Sequence, residues 1–337
     1  MALSIDVHAH LVGLDRDGHG CVLSAKMRRR ISTRFVLGSV GAKLSDPPAD
    51  VDRRYLDHLV AQAESAPSVD RVVLLAFDGV CGPDGRIDES LTHLRIPNDY
   101  VFEAAKASPK FLPACSVNPY RSDAVAELDR CAAAGAVLCK WIPAAMGFDP
   151  ADPRCAPFYA RLAALGMPLL SHTGTELAVT TMVKEDGDLG RLSPSLDAGV
   201  SLIVPHAGNL RIFGDRADWE SLRADMGRRK NLWIDDSALC MLHRRRRLFR
   251  VLESTDVHAR VLHGSDFPLP SQPMAFVDRI GFRGARRIKA IPSFFERDVA
   301  LKRALGVPEE FLGRAAEVLR MEPRGGTFGG VSGPAIP

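Results

Sequence analysis

The chain contains no run of eighteen apolar residues, and MALSIDVHAH at its start lacks the basic stretch and long apolar core of a secretory signal. A membrane-spanning segment is therefore excluded and a cytoplasmic location expected. Charge of one sign is scarce too: 44 Lys and Arg against 41 Asp and Glu leave a net +3. That field is too weak to draw the surface onto nucleic acid or an anionic membrane, so a small molecule is the expected partner. The seven cysteines never fall in a C-x-x-C spacing and lie mostly in apolar runs such as LPACSV and AVLCKW. They read as reduced, buried thiols, which sets aside a disulfide framework or a cysteine zinc knuckle. Neither a G-x-x-x-x-G-K-S/T loop nor a G-x-S-x-G elbow occurs, which disfavours ATP hydrolysis and the usual serine hydrolases.

What is present is the balance of a soluble globular protein, 46% hydrophobic and 25% charged in 337 residues. Eight short apolar, β-branched runs end in polar residues: 2–10, 71–77, 111–117, 136–142, 167–173, 201–207, 231–237 and 260–266. Strands buried on both faces look like this. Helical stretches separate them, among them RSDAVAELDRCAAAG, where Ser122 or Asp123 is expected to cap the start and Gly135 to end the helix, and APFYARLAALG, ending at Gly166. From the third strand onward the starts recur at the spacing of one strand–helix unit. Eight units point to an α/β fold, a closed (β/α)₈ TIM barrel, more readily than to an open sheet, because no Gly-rich dinucleotide loop follows the first strand.

The rhythm breaks after the first strand. Roughly forty extra residues, about 11–50, precede a helix near 52–65, and their GLDRDGHG and KMRRRISTRF segments read as a loop or lid over the barrel mouth. A single barrel domain of 1–323 is expected, followed by a Gly/Pro-rich tail, 324–337, that cannot build a core.

His8 and His10 stand two apart at the end of the first strand, where alternation puts both rings on one side. His172, His206 and Asp266 end the fifth, sixth and eighth strands. In a barrel all five side chains emerge at the C-terminal rim, where active sites of this architecture form. Imidazole and carboxylate ligands suit Zn²⁺ or another first-row divalent ion with an open position for water.

IDVHAH, SHTG, PHAG and HGSDFP together resemble the amidohydrolase superfamily, in its amidohydrolase-related branch, which includes aminocarboxymuconate-semialdehyde decarboxylase and many hydrolases. The resemblance runs from residue 5 to about 270. It implies that His8, His10, His172 and Asp266 hold a metal, while His206 binds a second ion or touches substrate. Lys140 stands on the fourth strand where two-metal members carry a carboxylated lysine; the branch resembled is usually mononuclear, so one ion or two stay open. Dimers are common among such relatives.

The mechanism this implies has Asp266 and His206 as catalytic groups, with Asp266 passing a proton from attacking water to the leaving group. The reaction is then metal-dependent hydrolysis of a C–N or C–O bond in an amide, lactone or ester. The alternative is a lyase that decarboxylates or hydrates an unsaturated carboxylic acid. Arg211 could clamp a substrate carboxylate. Trp141 is a candidate for lining the pocket, although alternation would point it toward the helices. Of Asp235 and Asp236, one is expected to face inward and the other to cap the next helix. Glu176 lies just past the fifth strand, Arg244–Arg247 read as a solvated charge run, and His263 reads as a buried, hydrogen-bonded histidine.

Overall fold

The computed structural model describes residues 3–174, 179–182, 189–208 and 215–321. Eight parallel strands follow the eight apolar runs: β1 (Ile5–His10), β2 (Arg71–Leu75), β3 (Phe111–Pro113), β4 (Cys139–Trp141), β5 (Leu169–Ser171), β6 (Leu202–Val204), β7 (Leu232–Asp235) and β8 (Val261–Leu262). Pairing runs β1–β2–β3 and β4 through β8 in sequence order. A parallel bridge between Cys115 and Cys139 joins the two groups. Closure comes from Val7 N donating to His263 O at 3.0 Å and Asp266 N to His8 O at 2.8 Å. The sheet is thus a TIM barrel.

Most of the strands contribute buried residues to both faces, which is why the sequence shows continuous apolar runs rather than alternation. The interior is filled by one cluster reaching from Ile5 and Val73 round to Trp233 and Leu262, sealed at the N-terminal end by Ala315, Val318 and Leu319. Outward residues such as Val72, Leu74, Leu202 and Ile234 pack under the surrounding helices. Those helices are α1 (Pro48–Glu64), α2 (Asn98–Ala105), α3 (Ala124–Ala133), α4 (Ala156–Leu165), α5 (Ser193–Asp197), α6 (Asp215–Arg228), α7 (Arg245–Glu253) and α8 (Phe294–Ala304), with a further helix, Val277–Lys289, before α8.

Gly135 and Gly166 adopt positive φ of 92° and 61°, as expected of residues that end a helix. The expected cap of α3 does not form. Asp123 occupies the N-cap position without a side-chain cap bond, because its carboxylate is held by the Arg121 guanidinium at 2.8 Å.

Residues 11–50 form three short helices, Arg16–His19, Ala25–Arg28 and Ile31–Ser39, and a two-residue strand, Val22–Leu23. That strand pairs antiparallel with Leu94–Arg95, inside a second long connection, which follows β2. Asp52 at the start of α1 fastens the insertion, accepting from Leu14 N at 2.6 Å, Asp15 N at 3.1 Å and His19 Nδ1 at 3.0 Å. Among the described residues no helix is long and apolar enough to cross a membrane. All seven cysteines are free and six are buried.

Candidate metal centre

β1 presents its two histidines through an irregularity. The register with β2 shifts between Asp6 and Ala9, so Val7 joins the interior cluster and His8, the very next residue, also faces the barrel axis. A bulge of this kind re-aims side chains. Strict alternation would have turned Asp6 inward with His8 and His10. Instead its Oδ1 accepts from His8 N and Ser265 N, at 2.9 and 3.0 Å.

The strand ends then meet. His10 Nε2 lies 3.1 Å and His8 Nε2 3.4 Å from Asp266 Oδ1, and the ligating atoms of these three residues lie within 4.8 Å of one another. His206 Nδ1 is 4.0 Å from Asp266 Oδ2, and the His172 ring centroid is 5.6 Å from that of His206. His172 lines the same cavity but lies outside the tight group. Lys140 lines it too and is almost fully buried. Two backbones are bent sharply here: His206 has φ 58° and Asp266 φ 63°, a left-handed conformation costly for non-glycine residues and concentrated at functional sites. Gly264 permits the crowding, since a Cβ there would come within 3.0 Å of both the His8 and Ser237 Cβ atoms.

Asp235, at the inward end of β7, organises the rings. Its Oδ2 accepts from His8 Nδ1 at 2.9 Å. Its Oδ1 accepts from His206 N at 2.7 Å, from Ser237 N at 3.0 Å and from the Ser237 hydroxyl. His206 Nδ1 in turn donates to Ser237, with Oγ at 2.7 Å and the carbonyl at 3.2 Å. Both rings therefore carry hydrogen on Nδ1 and present a lone pair on Nε2. His8 Nε2 is buried and makes no hydrogen bond. A buried nitrogen lone pair beside an imidazole and a carboxylate is what a divalent cation requires, and a carboxylate on the far side of the ring is its usual support. The residues fit such an ion. His8, His206 and Asp235 also lie within 4.8 Å of one another, but both Asp235 oxygens already accept hydrogen bonds. We read that trio as a hydrogen-bonded network.

Electrostatics agree. Burial, and next the Lys140 charge, pushes His8 well below the usual imidazole range; burial, and next Arg244, does the same to His206. Both rings are thus held neutral, as ligation demands. Burial alone would raise Asp266, but His8 and the hydrogen bond from His10 outweigh it and hold this carboxyl below the ordinary carboxylate range. Burial raises Asp235.

Several expected positions are corrected. Trp141 does not reach the pocket: it lies on the outward face of β4, stacks 5.2 Å from Phe158 of α4 and donates Nε1 to Val117 O at 2.7 Å. The alternation of β4, with Lys140 inward, requires this. Asp236 caps no helix; on the outward side of β7 it accepts from Lys302 Nζ at 2.7 Å and Gly264 N at 3.0 Å. His263 lies beside it as expected, buried and hydrogen-bonded, 3.1 Å from Lys302 Nζ. The arginine run is not a solvated face, because Arg247 is buried against Trp219 and Ala207 O, and Arg244 lines the cavity with His243. Sequence spacing gave no sign of this, since the run begins in the turn after β7 where direction is set by the loop. Arg211 and Glu176 lie outside the described residues.

Above the cluster opens a cavity of about 380 Å³, walled largely by the insertion and the Leu94–Arg95 connection. A histidine–aspartate cluster at the C-terminal rim of a TIM barrel is a site whose residues could hold a metal ion. The amidohydrolase family model matches residues 5–285, and the chain belongs to that family. No curated protein matches it in sequence.

Solved structures share the fold at low identity. A probable 2-pyrone-4,6-dicarboxylic acid hydrolase of Acinetobacter baumannii, with citric acid bound, is 13% identical with a TM-score of 0.58, covering 94% of this chain and 99% of its own. A 5-carboxyvanillate decarboxylase of Sphingomonas paucimobilis is 17% identical with a TM-score of 0.54, covering 96% and 100%. A zinc-bound amidohydrolase of Burkholderia multivorans is 15% identical with a TM-score of 0.53, covering 95% and 100%.

Proposed function

We propose that the protein is a metal-dependent hydrolase of a small molecule, breaking a C–N or C–O bond in an amide, lactone or ester, with one divalent ion, Zn²⁺. The observation that carries this reading is the unpaired His8 Nε2 set beside His10 and Asp266 at the floor of a cavity. His8, His10 and Asp266 would hold the ion, and His172, which lines the same cavity, is a further candidate ligand. Such an ion supplies Lewis acidity, polarising a carbonyl and bringing the pKa of water toward ~7.

The protein's own groups do the rest. Asp266, ionised at neutral pH, takes the proton of the attacking water on its carboxylate and returns it to the leaving group. His206 is a neutral ring with its lone pair on Nε2, so it serves as a ligand or proton acceptor; polarising a substrate carbonyl would need an N–H that it does not offer. Asp235 and Ser237 keep both rings in that tautomer. Engagement of both Asp235 oxygens favours one ion over two.

A second reading, decarboxylation of a carboxylic acid, is favoured by Arg244, a cationic residue lining the cavity that would attract a carboxylate. Metal analysis of protein purified without added ions is expected to find about one divalent ion per chain, and Asp266→Asn to keep the fold and abolish turnover. Failure to hold or acquire any ion would end the proposal, and CO₂ release from a carboxylic acid would decide for the lyase. Residues 1–323 as one catalytic domain and a homodimeric assembly complete the proposal.

A further inference from the structure

The net +3 of the chain conceals an uneven surface. Three stretches, 25–39 in the insertion, 242–250 running into α7, and the helix Val277–Lys289, hold 15 of the 44 cationic residues and a single acid, Asp278. The rest of the chain is left with 29 cations against 40 acids. Of the fifteen, Arg247 alone is buried. The same stretches, with the turn before the helix, carry Ile31, Phe35, Leu242, Met274, Val277 and Phe282, six of the nine large apolar side chains exposed among the described residues. Ile31 is 84% and Phe282 59% exposed. Apolar groups left in water in this number mark a contact surface.

The three stretches adjoin one another. The insertion helix Ile31–Ser39 lines the cavity through Ser32, Thr33 and Val36, and the stretch 242–250 lines it through His243 and Arg244. Arg245 then ties that stretch to the helix Val277–Lys289, pairing with Asp278 at 2.6 Å, and the Arg279 guanidinium lies 4.5 Å from the Phe249 ring.

We infer that this face docks on an anionic lipid surface, with its arginines and lysines at the headgroup phosphates and Ile31, Phe35 and Phe282 entering the boundary with the acyl chains. A bilayer interface rewards both components at once, cationic groups at its charged plane and hydrocarbon just beneath it. Nucleic acid would meet the charge but give Ile31, Leu242 and Met274 nothing to stack on. A second copy related by a two-fold axis would set cation against cation. The acidic remainder of the chain is repelled by the same lipid and so orients the molecule, turning the cavity toward the membrane. None of this depends on which bond the site breaks.

Flotation of the full-length protein with vesicles of phosphatidylcholine alone, or with about 30% phosphatidylserine, would measure the docking. Binding is expected only with phosphatidylserine, and to weaken about tenfold or more between about 0.1 and 0.5 M salt as the charges are screened. Arg283→Gln combined with Arg287→Gln, both exposed, is expected to weaken it about 25-fold, near fivefold for each cation removed. Phe282→Ala and Ile31→Ser keep the charge and are each expected to weaken it about tenfold through lost apolar burial. Thermal unfolding would check the fold of each variant, and the two apolar positions lie in separate elements, so either can decide. Absence of binding to phosphatidylserine vesicles, or wild-type binding by both apolar variants, would overturn the inference. Tighter binding of polyuridylate than of vesicles, or a dimer in analytical ultracentrifugation that Phe282→Ala dissolves, would assign the face to another occupant and overturn it too.

Discussion

Replacing Asp235 by Asn tests the metal centre without touching any proposed ligand. The side chain keeps its shape, and Asn Oδ1 still accepts from His206 N and Ser237 N, now at 2.7 and 3.0 Å from Asp235 Oδ1. The new NH₂ then faces His8 Nδ1 across 2.9 Å, donor against donor. Flipping the amide would relieve His8 but oppose two backbone N–H groups, which is worse. The cheaper escape is for His8 to shift its hydrogen to Nε2, the nitrogen needed to ligate. Loss of such a supporting carboxylate costs about 10–100-fold in metal affinity, or about 1.4–2.8 kcal/mol. Competition against a chromophoric chelator at neutral pH would measure the zinc Kd, and thermal unfolding would confirm an intact fold. A folded Asp235→Asn protein that binds zinc within twofold of wild type would refute the tautomer argument and the ligand role of His8.

Three further substitutions probe the frame around the site. Gly264→Ala forces a Cβ to within 3.0 Å of His8 and Ser237; urea denaturation is expected to show a loss of about 1–3 kcal/mol, accompanied by weaker zinc binding. Trp141→Phe removes the bond to Val117 O and is expected to cost about 1–3 kcal/mol by leaving that carbonyl unsatisfied, with zinc affinity unchanged because the ring faces α4. Lys302→Met strips the cation from between Asp236 and Asp298, which lie 2.7 and 2.8 Å from Nζ; a loss of about 3–5 kcal/mol is expected from an uncompensated buried charge. Without that cation both carboxyls have folded-state pKa values raised by burial, so protonation stabilises the folded form. The deficit in the variant should therefore shrink as pH falls from about 8 to about 5, and a deficit that grew would contradict the assignment.

The barrel was legible because buried parallel strands write themselves as apolar runs, and all eight runs hold strands. The rim histidines and Asp266 were legible because each ends such a run. What failed was whatever depended on loop direction. Arg244 and Arg247 belong to a turn and the helix after it, and no period in RRRR tells which guanidinium points inward; tertiary packing sent Arg247 beneath Trp219 and Arg244 into the cavity. The β1 bulge was equally silent, since IDVHAH alternates in sequence whether or not the register slips. The ribbon between 22–23 and 94–95 had a faint signal, the long interval between the second and third strands, but its partner lies in another loop.

Neighbouring residues of β7 carry the two halves of the site's support, and their opposite parity is what joins them. Asp235, inside, fixes the tautomers of His8 and His206; Asp236, outside, is clamped by Lys302 of α8, which also donates to Gly264 O at 2.7 Å. Gly264 N returns to Asp236 at 3.0 Å, so the turn leading to Asp266 is gripped from behind on both its carbonyl and its amide. Asp266 then holds a left-handed φ of 63°, a conformation that costs about 1–3 kcal/mol and persists only where its surroundings over-determine it. The buried Lys302 cluster supplies that constraint. Its removal should therefore loosen the Asp266 carboxylate as well as the fold, and Lys302→Met should lose zinc affinity under conditions where it is still folded. Trp141→Phe, destabilised on the far side of the same barrel, should not.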